Sequence, residues 1–317
     1  MDMSYLGNTG LKVSRLGLGL AEIGYELTSE HTLEASNLLN TALDNGINFL
    51  DTASCYGLSE DGAYGISEEL IGKTVSNRRN EYVLATKCGH YPYRKKLEQH
   101  PESWSPSTVE LNINQSLKRL KTDHVDLLQI HSCSLEILKK GEIIEALQKV
   151  KDSGKTRFIG YAGDNDAAIY AMSLGVFDTL QTSYNLVDQR ARLDLFPQVE
   201  RTNTGLIIKR PIANASWRST KAIHVGFADY YDDSYKERAN EMISLGPLDD
   251  EPENSIEFAL GFVLSHDLVD TAIVGTKNYK HLSGNIKLVE DGINLETKLI
   301  HELHTRFDEL GDKWLQM

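Results

Sequence analysis

The stretch EYVLATKCGHYPYRKKLEQHPESWSPSTVELNINQSLKRLKTDHVDLLQIH, Glu81 to His131, decides the fold. It begins with a short run of strand formers, Tyr82–Lys87, and ends with a second, Val125–His131. Between them, Ser107–Leu120 repeats its apolar residues at helical spacing (Val109, Ile113, Leu117, Leu120), and Pro106 suits a first helical turn. A strand, a helix and a strand in that order is the crossover that two parallel neighbouring strands require.

The same rhythm extends in both directions. Six more strands are expected at Arg15–Gly19, Ile47–Asp51, Arg157–Tyr161, Thr179–Thr182, Leu206–Lys209 and Thr271–Val274. Helical segments are expected at Thr28–Asn45, Leu135–Ser153 and Glu253–His266. Eight strand–helix units in 317 residues favour a closed (β/α)8 TIM barrel, one domain over residues 1–317, with Ser4–Arg15 as an N-terminal hairpin turning at Asn8-Thr9-Gly10. An open dinucleotide-binding sheet is disfavoured, because the glycines between Gly17 and Gly24 do not have the G-x-G-x-x-G spacing. Two connections are longer than a barrel needs: Cys88–Ser105, with His90, Tyr91, Tyr93 and Trp104, and Pro211–Glu251, with Trp217, Phe227, Tyr230 and Tyr231. Both follow strands and belong at the face where barrel active sites sit.

Composition narrows the function classes. A formal net charge of −13 argues against a nucleic-acid partner, and the short basic run Arg94-Lys95-Lys96 reads as a solvated loop. No window approaches 18 consecutive apolar residues, so no membrane partner is expected. Met1-Asp2-Met3-Ser4 lacks the features of a secretion signal, and three scattered cysteines, Cys55, Cys88 and Cys133, fit a reducing compartment; a cytoplasmic protein is the expectation. No Cys-x-x-Cys or His-x-x-x-His spacing points to a metal, so no metal site is expected, and Cys88, next to Lys87 on a strand, should face the helices.

Polar residues collect at the strand ends. Asp51 ends the second strand, with Tyr56 five residues on; Lys87 ends the third and His131 the fourth. Such a set suits carbonyl reduction. A phenol can give the proton, a lysine beside it should lower its pKa, a carboxylate can keep that lysine charged, and a histidine can hold the carbonyl oxygen. No side chain gives hydride, so a nicotinamide cofactor is implied. A hydrolase would need paired carboxylates or a metal cluster, which this rim does not offer.

These segments resemble the aldo-keto reductase family over nearly the whole chain: LGNTGLKVSRLGLGL (Leu6–Leu20), GINFLDTASCYG (Gly46–Gly57) with SEELIGK (Ser67–Lys73), LATKCG (Leu84–Gly89) and VDLLQIH (Val125–His131). The resemblance implies catalytic roles for Asp51, Tyr56, Lys87 and His131. It implies that Gln181 meets the nicotinamide carboxamide and that Gly275, Thr276, Lys277, His281 and Asn285 hold the adenosine end. Three departures stand out. Ala162 and Gly163 replace the family's Ser-Asn, Lys209 and Arg210 stand where an aromatic stacks on the nicotinamide, and His281 replaces an arginine at the 2′-phosphate. NADP(H) is favoured through Lys277, with NAD(H) open. Trp104 and Trp217 are candidate pocket walls for a small carbonyl or alcohol substrate. A cofactor-sensing regulatory subunit of the same fold is the alternative to an enzyme.

Overall fold

The structure, a computed structural model, describes residues 1–28, 30–57, 64–92, 102–218 and 229–317, the side chains of 229–232 excepted. Tyr93, Arg94, Lys95, Lys96 and Phe227, and the side chains of Tyr230 and Tyr231, lie outside the described residues.

Strands β1 (Met3–Tyr5) and β2 (Lys12–Ser14) form the antiparallel hairpin. Its turn is a short 3-10 segment, Gly7–Thr9, closed by Gly10 in the left-handed region at φ 71°. The eight strands that follow are β3 (Leu16–Gly19), β4 (Phe49–Asp51), β5 (Val83–Cys88), β6 (Val125–His131), β7 (Thr156–Ala162), β8 (Thr179–Ser183), β9 (Gly205–Lys209) and β10 (Thr271–Gly275). They pair in parallel in chain order, and β10 closes on β3. This is the expected (β/α)8 barrel, with every strand within two residues of its expected bounds.

Period-two alternation divides the side chains between two cores. On β5, Val83 and Ala85 point into the barrel while Leu84 and Cys88 join the shell under the helices. On β6, Leu127 points in and Leu128 and Ile130 point out. Phe49, Ile207 and Ile273 join the interior, and Leu6, Leu11 and Val13 of the hairpin region plug it from below. The interior is therefore a packed apolar floor, not a pore. Above it the inward positions turn polar: Asp51 on β4, then Lys87, in register with Gln129 across β5 and β6. Cys88 faces the helices, as expected from its neighbour.

The helices hold the finer differences. The expected helix Leu135–Ser153 is two, Leu135–Lys140 and Glu142–Asp152, because Gly141 at φ 78° caps the first in the left-handed region. A short helix, Ala21–Glu26, follows β3 unannounced by any apolar period, and the long connection after β9 contains a helix, Asp229–Ser244. Pro106 does occupy the first turn of its helix, behind an N-cap at Ser105 whose hydroxyl accepts from the Thr108 N–H.

Candidate active site

A cavity of about 1440 Å³ opens at the carboxyl ends of the strands. It runs from Asp51, Tyr56 and His131 to Gly275, Lys277, His281 and Asn285 near the end of the chain, past Gln181, Lys209 and Arg210. All the residues expected at the catalytic and cofactor positions except buried Lys87 line it.

Lys87 lies beneath the cavity floor as the hub of the polar layer. Its ammonium donates to Asp51 Oδ2 at 2.5 Å, to the Thr52 carbonyl at 2.9 Å and to the Tyr56 hydroxyl at 3.4 Å. Asp51 Oδ1 accepts from Gln181 Nε2 at 2.7 Å and Gln129 Nε2 at 3.3 Å. Three donors thus serve one buried carboxylate, which offsets much of the cost of removing it from water. Gln181 turns its amide nitrogen to Asp51, which leaves its oxygen as the acceptor for a ligand.

The electrostatics of Tyr56 differ from the sequence argument. Burial, and after it the Asp51 carboxylate, hold the phenol well above its ordinary pKa, whereas the lysine was expected to pull it down. At the phenol, burial and the Asp51 carboxylate outweigh any pull from the lysine, so the phenol stays protonated at neutral pH. His131 is shifted the other way. Burial, then His90, Lys87, Lys209 and Arg210, hold its pKa well below the usual value, so its ring is neutral. The His131 and Tyr56 rings meet edge-on with centroids 5.7 Å apart.

Supporting residues come from the SEELIGK segment, whose roles the sequence did not show. Ser67 Oγ accepts from Thr52 Oγ1 at 2.8 Å and donates to the Leu20 carbonyl at 2.9 Å. Glu68, fully buried, accepts from Thr86 at 2.6 Å and from Arg119 at 2.8 Å. The helix Ile66–Thr74 is thereby locked to the segments after β3 and β4 and to β5. Gln129 was missed too, although it lies two residues before His131 on the same strand face.

The structure shows what surrounds Gly163, Lys209 and Arg210. A Cβ on Gly163 would come within 2.8 Å of the Tyr161 ring and 2.7 Å of its hydroxyl, so no larger residue fits there without displacing that buried tyrosine. Asn165, two residues beyond Gly163, exchanges hydrogen bonds with Gln316 and does not line the cavity. Lys209 pairs with Asp164, and Arg210 reaches the Met317 carbonyl and Ser183 Oγ. Burial lowers the Lys209 pKa against the pull of Asp164.

Trp104 and Trp217, expected as pocket walls, are not among the described residues that line the cavity. The Trp104 indole donates to the His131 carbonyl at 2.9 Å and lies behind His90, in a niche that exists because Gly89, at φ 123°, has no Cβ; one would approach the indole to 2.6 Å. Trp217 donates to Glu251 at 2.9 Å and packs on Phe258. Each indole N–H is held by a protein acceptor, and Tyr25, Tyr56, Tyr64, His90 and Tyr91 form the aromatic wall instead.

At the far end, Lys277 does not stand alone. Its ammonium pairs with Glu26 at 2.6 Å and its backbone N–H donates to Glu22 at 2.9 Å, both from the short helix after β3. The two carboxylates also line the cavity.

Comparison with known proteins agrees with this fold. The family model for the aldo/keto reductase family matches residues 15–304. The chain is similar to the uncharacterized oxidoreductase YrpG of Bacillus subtilis (31% identity, 98% of this chain and 97% of that one) and to L-galactose dehydrogenase of Arabidopsis thaliana (28%, 94% and 92%). Among solved structures it resembles the holo form of an aldo-keto reductase from Bacillus halodurans, with TM-score 0.78, 25% identity and 96% of each chain covered. The barrel, the polar layer on its floor and the match along almost the whole chain lead to one conclusion: this protein belongs to the aldo/keto reductase family, nicotinamide-dependent oxidoreductases.

Proposed function

We propose that the protein interconverts a small aldehyde, ketone or sugar carbonyl with its alcohol, with Tyr56 as the proton donor and, in place of the NADP(H) preference expected from Lys277 alone, NAD(H) preferred over NADP(H). The observation that carries the reading is the Lys87 ammonium held between the Asp51 carboxylate and the Tyr56 hydroxyl, with neutral His131 beside the same phenol. The likeness to an L-galactose dehydrogenase supports including sugars in the substrate class.

The cavity fits a dinucleotide. Its volume exceeds the ~300–1,000 Å³ of ordinary small-ligand pockets, and its lining joins an amide acceptor at Gln181 to backbone, hydroxyl and cationic groups at Gly275, Thr276, Lys277, His281 and Asn285. When bound there, the nicotinamide supplies the hydride. The protein's own groups manage the proton. Tyr56 stays protonated at neutral pH and gives its proton to the carbonyl oxygen, and the phenolate left behind is stabilised by Lys87. Asp51 and the Thr52 carbonyl keep the ammonium in place. Neutral His131 donates an N–H to the carbonyl oxygen and orients it. Two carboxylates beside Lys277 support the NAD(H) preference, since they suit a ribose hydroxyl and oppose a 2′-phosphate.

Substituting Tyr56→Phe tests the assignment. Cofactor binding stays within a few-fold and turnover falls by about 10²–10⁴, the usual worth of a general acid. Near-normal turnover in that variant removes Tyr56 from the role.

A further inference from the structure

We propose that Cys55, His90 and His131 form a binding site for one thiophilic divalent cation of the zinc type, at the Tyr56 end of the cavity. The three come from the segments after β4 and β5 and the end of β6, neighbouring strands whose register brings them together. Cys55 Sγ lies 3.2 Å from His90 Nδ1 and 3.4 Å from His131 Nδ1, and one ligand atom from each residue falls within 4.8 Å of the others. Tetrahedral zinc, with bonds of ~2.3 Å to sulfur and ~2.05 Å to nitrogen, sets ligand atoms ~3.6 Å (S to N) and ~3.4 Å (N to N) apart. The two sulfur–nitrogen gaps are already near that value, and the two nitrogens lie within the 4.8 Å that encloses the set.

Hydrogen bonding alone leaves the cluster less well served. A thiol has one proton and can donate to one imidazole, so the other must give its N–H to a weak sulfur acceptor. A cation satisfies all three lone pairs at once. The surroundings hold the ligands in place: the Trp104 indole fixes the His131 carbonyl at 2.9 Å and packs edge-on against the His90 ring. One sulfur and two imidazole nitrogens select zinc-like ions over magnesium or calcium. All three residues line the cavity, so the fourth coordination position faces it. Binding converts the Cys55 thiol to thiolate and releases its proton to solvent.

A cation there, with its water, fills the corner beside Tyr56, so zinc and the carbonyl compound exclude each other. That consequence rests on the function proposed above; the binding site does not. The test is a titration of metal-stripped protein with Co²⁺, followed by displacement with Zn²⁺. One equivalent should bring up the thiolate-to-cobalt charge-transfer band with the visible bands of tetrahedral cobalt, and zinc should abolish both. His90→Ala and Cys55→Ser, checked for folding by circular dichroism, should each weaken binding at least tenfold, and His90→Ala should lose zinc inhibition relative to its own zinc-free rate. Titrations in both variants that match the wild type overturn the site, as does cobalt binding without a thiolate band. Zinc inhibition undiminished in His90→Ala removes the competition at this corner, whether or not Tyr56 proves to be the donor.

Discussion

Replacing Glu26 by Gln should shift cofactor preference toward NADPH. In the structure Glu26 engages the Lys277 ammonium at 2.6 Å, with the two side chains 33% and 50% exposed. An ion pair so open to water is worth only ~0.2–1 kcal/mol, so it does not bar a phosphate, but it must be surrendered or shared when one arrives. The carboxylate also repels the incoming group directly: against a dianion ~7 Å away in a water-like dielectric, this costs about 1 kcal/mol before salt screening. Together these give ~1–2 kcal/mol, or ~5–30-fold tighter NADPH binding in Glu26→Gln, while NADH changes by less than about twofold. Dissociation constants for both cofactors, measured by titration calorimetry at low and high salt, read this out, and the NADPH gain should shrink as salt rises. Lys277→Ala is the counterpart and should weaken NADPH more than NADH. Equal shifts for the two cofactors in either variant, or a salt-independent gain, would refute the placement of the 2′-phosphate beside this pair.

Two further expectations follow from the charges. With the Tyr56 pKa held above its ordinary value and that of His131 below, kcat/KM for carbonyl reduction should stay flat from about pH 6 to about pH 8; a limb near the ordinary histidine value of ~6.5 that disappears in His131→Gln would contradict the neutral ring. At the opposite face, Asp126 is buried yet accepts from Arg79 and Arg157 at 2.7 Å and from the Leu84 N–H at 2.9 Å. Burial would raise its pKa, but these partners outweigh it and lower the folded-state value. The stability it contributes is therefore present above the unfolded carboxylate pKa of ~3.9 and is lost as pH falls through the lower folded value. Asp126→Ala should cost ~1–3 kcal/mol in denaturant unfolding at neutral pH, chiefly by leaving the Leu84 N–H without an acceptor, and no measurable loss would mean the network is ornamental.

Much of the barrel could be read from the chain because its information is local. A run such as VDLLQIH carries its own strand propensity, and a polar residue at its end marks the rim where the cavity opens. Asp51, Lys87 and His131 were legible on that account. What escaped depends on contacts between distant residues. Glu26 meets Lys277 across 251 positions, and Cys55 meets His131 across 76. The helix Ala21–Glu26 is too short to show an apolar period, so its two carboxylates had no address in the sequence. Trp104 and Trp217 mark a different limit. Aromatic content in a long connection signals burial but not direction, and each indole points to a protein acceptor.

Three lysines around the cavity stand against carboxylates, and the depth of each pair orders their roles. Lys87 and Asp51 are almost fully buried, at 1% and 3% exposure, with further hydrogen bonds to both partners. Breaking such a pair strands a charge in the core, so it tolerates no change and holds the Tyr56 hydroxyl in one geometry. Lys209 and Asp164 are intermediate, at 16% and 11%, where Asp164 also fixes the Ser183 N–H and the Thr182 hydroxyl on β8. Lys277 and Glu26 are open to water, and their pairing costs little to exchange. In the function proposed above, the gradient separates the chemistry, set rigidly at the barrel floor, from the choice of cofactor, set at a rim where one surface carboxylate can be replaced without disturbing the fold.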